Sequence, residues 1–195
     1  MNNSINTQSR EQKQALCNEL KKQFKYVAQE LRLFTSPKNP KNDKLYSSIF
    51  NVLYESAFKR NEHFIQYEHV GAIDFYVESE KLIIEYDEGQ HFSPQRQMTL
   101  ENYPKDIQLG FDKNEWIAYC KMIKDTYGKK YKIFNRRPCR VEQRAYYDSV
   151  KDIEAAKHGY KLIRIKHDDD FDWVNSSQDE IDKEFKRLGI IGVGE

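Results

Sequence analysis

A chain of 195 residues with 38% hydrophobic and 13% aromatic content can build one domain-sized core, and its formal net charge of +1 by itself points neither toward nor away from a polyanionic partner. Three cysteines, Cys17, Cys120 and Cys139, are odd in number and lack zinc-ligand spacing, which argues against a disulfide framework or a zinc site and fits a reducing cytoplasm. The start carries no apolar signal core and no run nears the roughly 18 apolar residues of a span, so no membrane partner is expected.

In chain order, residues 1–10 are polar and expected to fray. Leu16, Leu20, Phe24, Val27 and Leu31 recur at spacings of 4, 4, 3 and 4, which predicts one helix from about Glu11 to Leu33. Its apolar stripe is core or a dimer seam. The two-proline segment T-S-P-K-N-P-K-N-D breaks the chain, and Asp43 is placed to cap a second helix through Leu45, Ile49, Leu53 and Ala57. Glu55 lies inside that helix, off its stripe. Strands are expected near His63–Tyr67, Ala72–Val77 and Lys81–Asp87. Trp116, Tyr119 and Met122 mark a helix in an otherwise aperiodic stretch. A helix from about Tyr146 to Lys157, with Asp148 and Asp152 as surface charges flanking Lys151, ends near Gly159. Tyr160–Lys166 alternates like a strand. Ser177-x-x-Glu180 is a capping box for a last helix stopped at Gly189. The order implies an α/β fold with a central mixed β-sheet flanked by helices.

The chemistry concentrates between Ile73 and His91, in I-D-F-Y-V-E-S-E-K-L-I-I-E-Y-D-E-G-Q-H. Strand alternation puts Leu82, Ile84 and Tyr86 on one face and Ile83, Glu85 and Asp87 on the other. Glu85 and Asp87 are then same-face neighbours, with Cα atoms roughly 6.6 Å apart at about 3.3 Å rise per residue. Asp74 sits on the preceding strand. Three carboxylates on touching strands repel unless something positive lies between them, and a divalent cation with hard oxygen ligands suits that place.

Four pieces in this order resemble the PD-(D/E)XK nuclease superfamily, and more narrowly its branch around very-short-patch-repair and related homing-type endonucleases. They are Glu55 in Y-E-S-A-F, Asp74 in I-D-F, the strand and turn I-I-E-Y-D-E-G-Q-H, and Asp148, Lys151 and Asp152 before G-Y-K-L-I-R-I. The resemblance covers about residues 45–170 and is interrupted by residues 92–145. It implies a restriction-endonuclease-like core with Asp74 as principal metal ligand, Glu85, Asp87 and His91 around the scissile phosphate, and Glu55 completing the acidic cluster. The superfamily's usual lysine, two residues after the strand glutamate, is absent, and Asp87 stands there. The choice between Glu85 and Asp87 as second ligand stays open.

Magnesium, with manganese as substitute, would be held by Asp74, Glu85 and Asp87, and His91 would serve as general acid/base near its ordinary pKa of about 6.5. Between Lys121 and Arg144 nine Lys/Arg face two acids, a local charge of about +7. Lys129, Lys130, Lys132, Arg136, Arg137, Arg140 and Arg144 are expected to contact double-stranded DNA. The expected organisation is an N-terminal helix and linker (1–44), a nuclease core (45–175) with a basic insertion at about 92–145, and a C-terminal helix (176–195). The insertion and first helix are assigned to recognition or homodimerisation. The expected activity is a site-specific DNA endonuclease of restriction or homing type. The competing expectations are a mismatch- or structure-specific repair nuclease, and a non-catalytic nucleic-acid-binding or assembly subunit that keeps the fold.

Overall fold

The computed structural model describes residues 2–57, 65, 70–134, 140–167 and 171–191, with side chains omitted at 2–7 and 124–134. Four strands, β1 (Ala28–Leu31), β2 (Ile73–Val77), β3 (Leu82–Asp87) and β4 (Lys161–Lys166), form one sheet in the order β1-β2-β3-β4. The first three run antiparallel and β3–β4 is parallel, so the sheet is mixed. Every residue of β3 is buried, as befits a central strand covered on both faces.

Two helical layers provide that cover. Helices α1 (Asn2–Gln23) and α6 (Gln178–Leu188) pack Leu16, Cys17, Leu20, Ile181 and Phe185 against Phe75, Val77, Leu82, Ile84 and Ile163. The opposite layer holds α2 (Ser47–Ser56), α3 (Pro94–Glu101), α4 (Lys113–Phe134) and α5 (Arg140–Lys157). Its core joins Ile49, Leu53, Leu100, Trp116, Cys120 and Val150 to Ile83 and Leu162 of the sheet. The chain is therefore α/β with a mixed open sheet flanked by helices.

The segment expected as an insertion helps build this layer. Phe92, Leu100, Tyr103, Trp116, Cys120 and Ile123 are all buried in that core. Helix α3 starts cleanly because Pro94 occupies its first turn and Ser93 Oγ accepts the Arg96 N–H at 3.1 Å. No helix among the described residues is long and apolar enough to cross a membrane.

Several expected boundaries move. The single helix expected over 11–33 is α1 followed by β1, which pairs Ala28 with Tyr76 and Leu31 with Ile73. Phe24 and Val27 pack on the α1–α6 side and Leu31 on the other, so one sequence stripe serves two cores. Pairing with β2 satisfies backbone groups along that edge, and Tyr26 and Val27 favour extended backbone. Asp43 does not cap α2; its Oδ1 accepts the Leu45 N–H at 2.8 Å, closing a turn before the helix begins. Of the strand expected at 63–67 only Ile65 is described, packed against the α2–α5 core. The Glu180 carboxylate accepts the Ser177 N–H at 2.8 Å as the capping box requires, and Gly159 and Gly189 end their helices at φ 70° and 68°.

Candidate active site

The register Phe75↔Ile84 carries on to set Asp74 opposite Glu85, and β3 aligns Glu85 with Arg164 of β4. Sheet pairing alone thus brings two acids and a cation into adjacent positions. Glu85 and Arg164 face the α5 layer, the face that alternation assigns to Ile83, Glu85 and Asp87.

Asp74 is largely buried. Its Oδ2 accepts the backbone N–H of Tyr86 at 2.8 Å, and its Oδ1 meets Lys13 Nζ at 2.5 Å, which reaches it from α1. Glu85 is buried, with Oε2 2.8 Å from Lys151 Nζ of α5. Oε1 of Glu85 is buried with no hydrogen-bond partner. Burial raises the Glu85 carboxyl above its ordinary range; Lys151 pulls it back and Asp74 pushes it further up. Lys151 also donates to the Ala72 carbonyl at 2.8 Å, which fixes its ammonium between the two strands.

Asp87 is differently placed. Arg164 Nη1 lies 2.7 and 2.9 Å from its two oxygens, and the Trp116 indole N–H donates to Oδ2 at 3.1 Å. The same guanidinium donates through Nε to Asp152 Oδ1 at 2.8 Å. Asp152 Oδ2 in turn accepts Arg96 Nη2 and the Tyr103 hydroxyl, each at 2.6 Å. Two fully buried arginines are thereby neutralised by two buried aspartates, the condition for carrying charge inside a core.

His91 closes the 3-10 turn Gly89–His91 after β3. Its Nδ1 lies 2.9 Å from Asp148 Oδ2 and 3.7 Å from Asp87 Oδ1. Its side chain remains 20% exposed, the one partly open group of this buried set apart from Asp74 and Lys13. Burial alone would lower its pKa. The Asp148 carboxylate, and then Asp87, outweigh that and hold it above its ordinary value. Asp148 is shifted down by the same pairing. With Nδ1 engaged, Nε2 is the nitrogen left for exchange with a ligand.

Of the five residues expected from sequence, four come together: Asp74, Glu85, Asp87 and His91. Glu55 is exposed on α2, outside this buried cluster. Asp148, Lys151 and Asp152, expected as surface charges, are only 2%, 6% and 1% exposed. The face of α5 made by Ala145, Asp148, Ser149, Asp152 and Ala155 explains this. Small residues let the helix approach the sheet, and the acids between them meet Arg164 and His91. That small-and-acidic spacing was the available signal. Lys13, Arg96, Trp116 and Arg164 have none in local sequence.

Of the basic residues, Arg144 Nη1 donates to the Gln90 carbonyl at 3.2 Å, beside His91, and Arg140 Nη1 donates to Gln143 Oε1 at 3.4 Å on the same helix. Lys129, Lys130 and Lys132 lie on α4 where side chains are not described, and Arg136 and Arg137 lie outside the described residues.

Among the described residues, no group of three or more His, Cys, Asp or Glu side chains is disposed to hold a metal ion. Of the three expected ligands, only Glu85 leaves an oxygen open to a hard cation as it stands, while Asp74 would first have to exchange the Lys13 ammonium on its Oδ1. Glu85 offers a buried oxygen that lacks a partner, and Asp74 stands on the adjoining strand. Asp87 does not fit, because Arg164 and Trp116 occupy both its oxygens. Comparison with known protein families, with curated proteins and with solved structures gives no match.

Proposed function

We propose that the chain is a metal-dependent endonuclease acting on double-stranded DNA, with a restriction-endonuclease-like core of the PD-(D/E)XK type. The observation that carries this reading is the unpartnered buried oxygen of Glu85, a residue that lies across the sheet from Asp74 of β2 and whose other oxygen meets the Lys151 ammonium of α5. A carboxylate kept short of one partner and flanked by a fixed cation suits transient binding of a charged reactant. It has little to offer packing alone.

In this reading Asp74 and Glu85 would hold magnesium, which would supply charge neutralisation at a phosphoryl oxygen and make a water more acidic. Lys151 orients Glu85 and adds positive charge beside the reacting phosphate. It stands in for the lysine that the superfamily keeps two residues after the strand glutamate. Asp87 is a positioning residue, locked by Arg164 and set 3.7 Å from the His91 ring. His91, oriented by Asp148, exchanges a proton through Nε2 with water or the leaving oxygen. Arg144, bonded to the Gln90 carbonyl beside His91, is a cation at the turn for a substrate phosphate.

The test is cleavage of supercoiled plasmid by the purified chain with magnesium or manganese and with chelator. Cleavage is expected only with metal. Asp74→Asn and Glu85→Gln should each lower it by roughly 100-fold or more while circular dichroism stays unchanged. A wild-type chain that shifts DNA but never cuts it under any divalent metal would replace this reading with the binding-subunit one.

A further inference from the structure

We infer that Lys13 is a built-in competitor for the divalent cation at Asp74, so that α1 sets the metal affinity of the site. This rests on Asp74 being a metal ligand, as proposed above.

Ser9, Gln12 and Lys13 are spaced to share one face of α1. Ser9 Oγ donates to Glu88 Oε1 at 2.9 Å, just past β3. Gln12 donates to Asp172 Oδ1 and accepts the Trp173 N–H, each at 2.7 Å, beyond β4. Lys13 meets Asp74 on β2. One helix face therefore straps three parts of the chain around the candidate ligands, while Leu16, Cys17 and Leu20 anchor the next turns in the core.

The ammonium of Lys13 sits on Asp74 Oδ1 and Tyr86 N–H holds Oδ2, so a cation approaching Asp74 competes with the Lys13 charge for Oδ1. The lysine is the removable one. Its side chain is 29% exposed, and it already touches a second acid, Glu30, at 3.4 Å. Glu30 falls between Gln29↔Phe75 and Leu31↔Ile73, across from Asp74, and has a φ of 51°. That left-handed backbone costs a non-glycine residue energy. It leaves an exposed carboxylate within reach of Lys13, an alternative partner for an ammonium displaced from Asp74. Asp74, Glu85, Asp87, Asp148 and Asp152 face four fixed cations, Lys13, Arg96, Lys151 and Arg164, with His91 as the titratable fifth. Removing Lys13 leaves the acids in excess beside Asp74.

The experiment measures manganese binding to the full chain by electron paramagnetic resonance of the free ion, at fixed ionic strength, with thermal melts confirming that each variant folds. Lys13→Met should bind manganese about tenfold more tightly than wild type, Lys13→Arg should stay close to wild type, and Asp74→Asn added to Lys13→Met should abolish the gain. Equal or weaker binding by Lys13→Met, with binding still lost in Asp74→Asn, would overturn this inference and leave the metal-dependent reading standing. Absence of binding in wild type and Lys13→Met alike, or binding that Asp74→Asn leaves intact, would overturn both.

Discussion

His91 is held by two carboxylates at once, Asp148 at 2.9 Å and Asp87 at 3.7 Å, and its charge state follows from them. Its pKa in the folded chain lies above the ordinary 6.5 despite burial, because Asp148 favours the imidazolium. The folded state then binds a proton that the unfolded chain releases. The stabilisation is fully present below pH of about 6.5 and is lost as pH rises through the folded value. The His91 Cε1 proton should titrate above 6.5 by NMR, and Asp148→Asn should move that midpoint down. His91→Gln should flatten the fall in stability above neutrality. A wild-type midpoint at or below 6.5 would sink this account. The residue pattern was partly legible. Glu85, Asp87 and His91 sit within one strand and its turn, so alternation alone gathers them. Their counter-ions are distant in sequence, with Lys151 66 positions from Glu85 and Arg164 77 from Asp87. The repulsion among carboxylates that points to a cation is met in the described chain by lysine and arginine. Which cations answer it is decided by tertiary packing.

At the scale of elements, strand β4 shows how the sheet ends. Lys161 N–H donates to Lys81 O and His167 N–H to Asp87 O, so the odd residues of β4 bond β3 and the even ones face the open edge. Residues 107–111 cover that edge: Ile107, Leu109 and Phe111 pack on the helical core, and a Cβ at Gly110 would lie 2.1 Å from Leu162 O. That carbonyl belongs to an ordered strand and cannot yield as a side-chain tip would. Gly110→Ala should destabilise the chain by about 2 kcal/mol, within the range for overpacking a closed site. Urea unfolding measures it, and a loss under about 0.5 kcal/mol would mean the segment moves freely off β4. Gly89 is the contrast, since a Cβ there meets nothing within 4 Å. Elements with local punctuation were readable in advance: the Ser177 box, the glycines after α5 and α6, and the alternation of β3 and β4. The α1–β1 boundary was not. Its stripe from Leu16 to Leu31 is helical in spacing, and pairing with β2, which local sequence does not reveal, decides that 28–31 is a strand. The role of 92–123 was hidden for a related reason: Phe92, Leu100, Trp116 and Cys120 show no single period because several short elements share one core.

For the molecule as a whole, charge is segregated even though the net is +1. The acids Glu85, Asp87, Asp148 and Asp152 are buried in one cluster with lysine and arginine partners and Asp74 lies partly open at its margin, while nine Lys/Arg fall between Lys121 and Arg144. That basic segment begins on α4 and ends on α5, where Arg144 bonds the Gln90 carbonyl next to His91. A polyanion following it would arrive beside His91, whose side chain is 20% exposed. Binding of this kind is driven by counterion release and should weaken steeply with salt, the slope of log K against log salt being roughly −0.9 per phosphate neutralised. With four or more contacts, the slope for a duplex oligonucleotide should be about −3.5 or steeper in fluorescence anisotropy. Arg144→Ala should make it shallower by about 1 and leave the melting temperature little changed, because its side chain is only part-buried. The measurement is made in chelator so that binding is read apart from cleavage. A slope near zero, or one that Lys129, Lys130 and Lys132 to Ala together fail to reduce, would detach the basic segment from any nucleic-acid role and leave its charge as solvated surface.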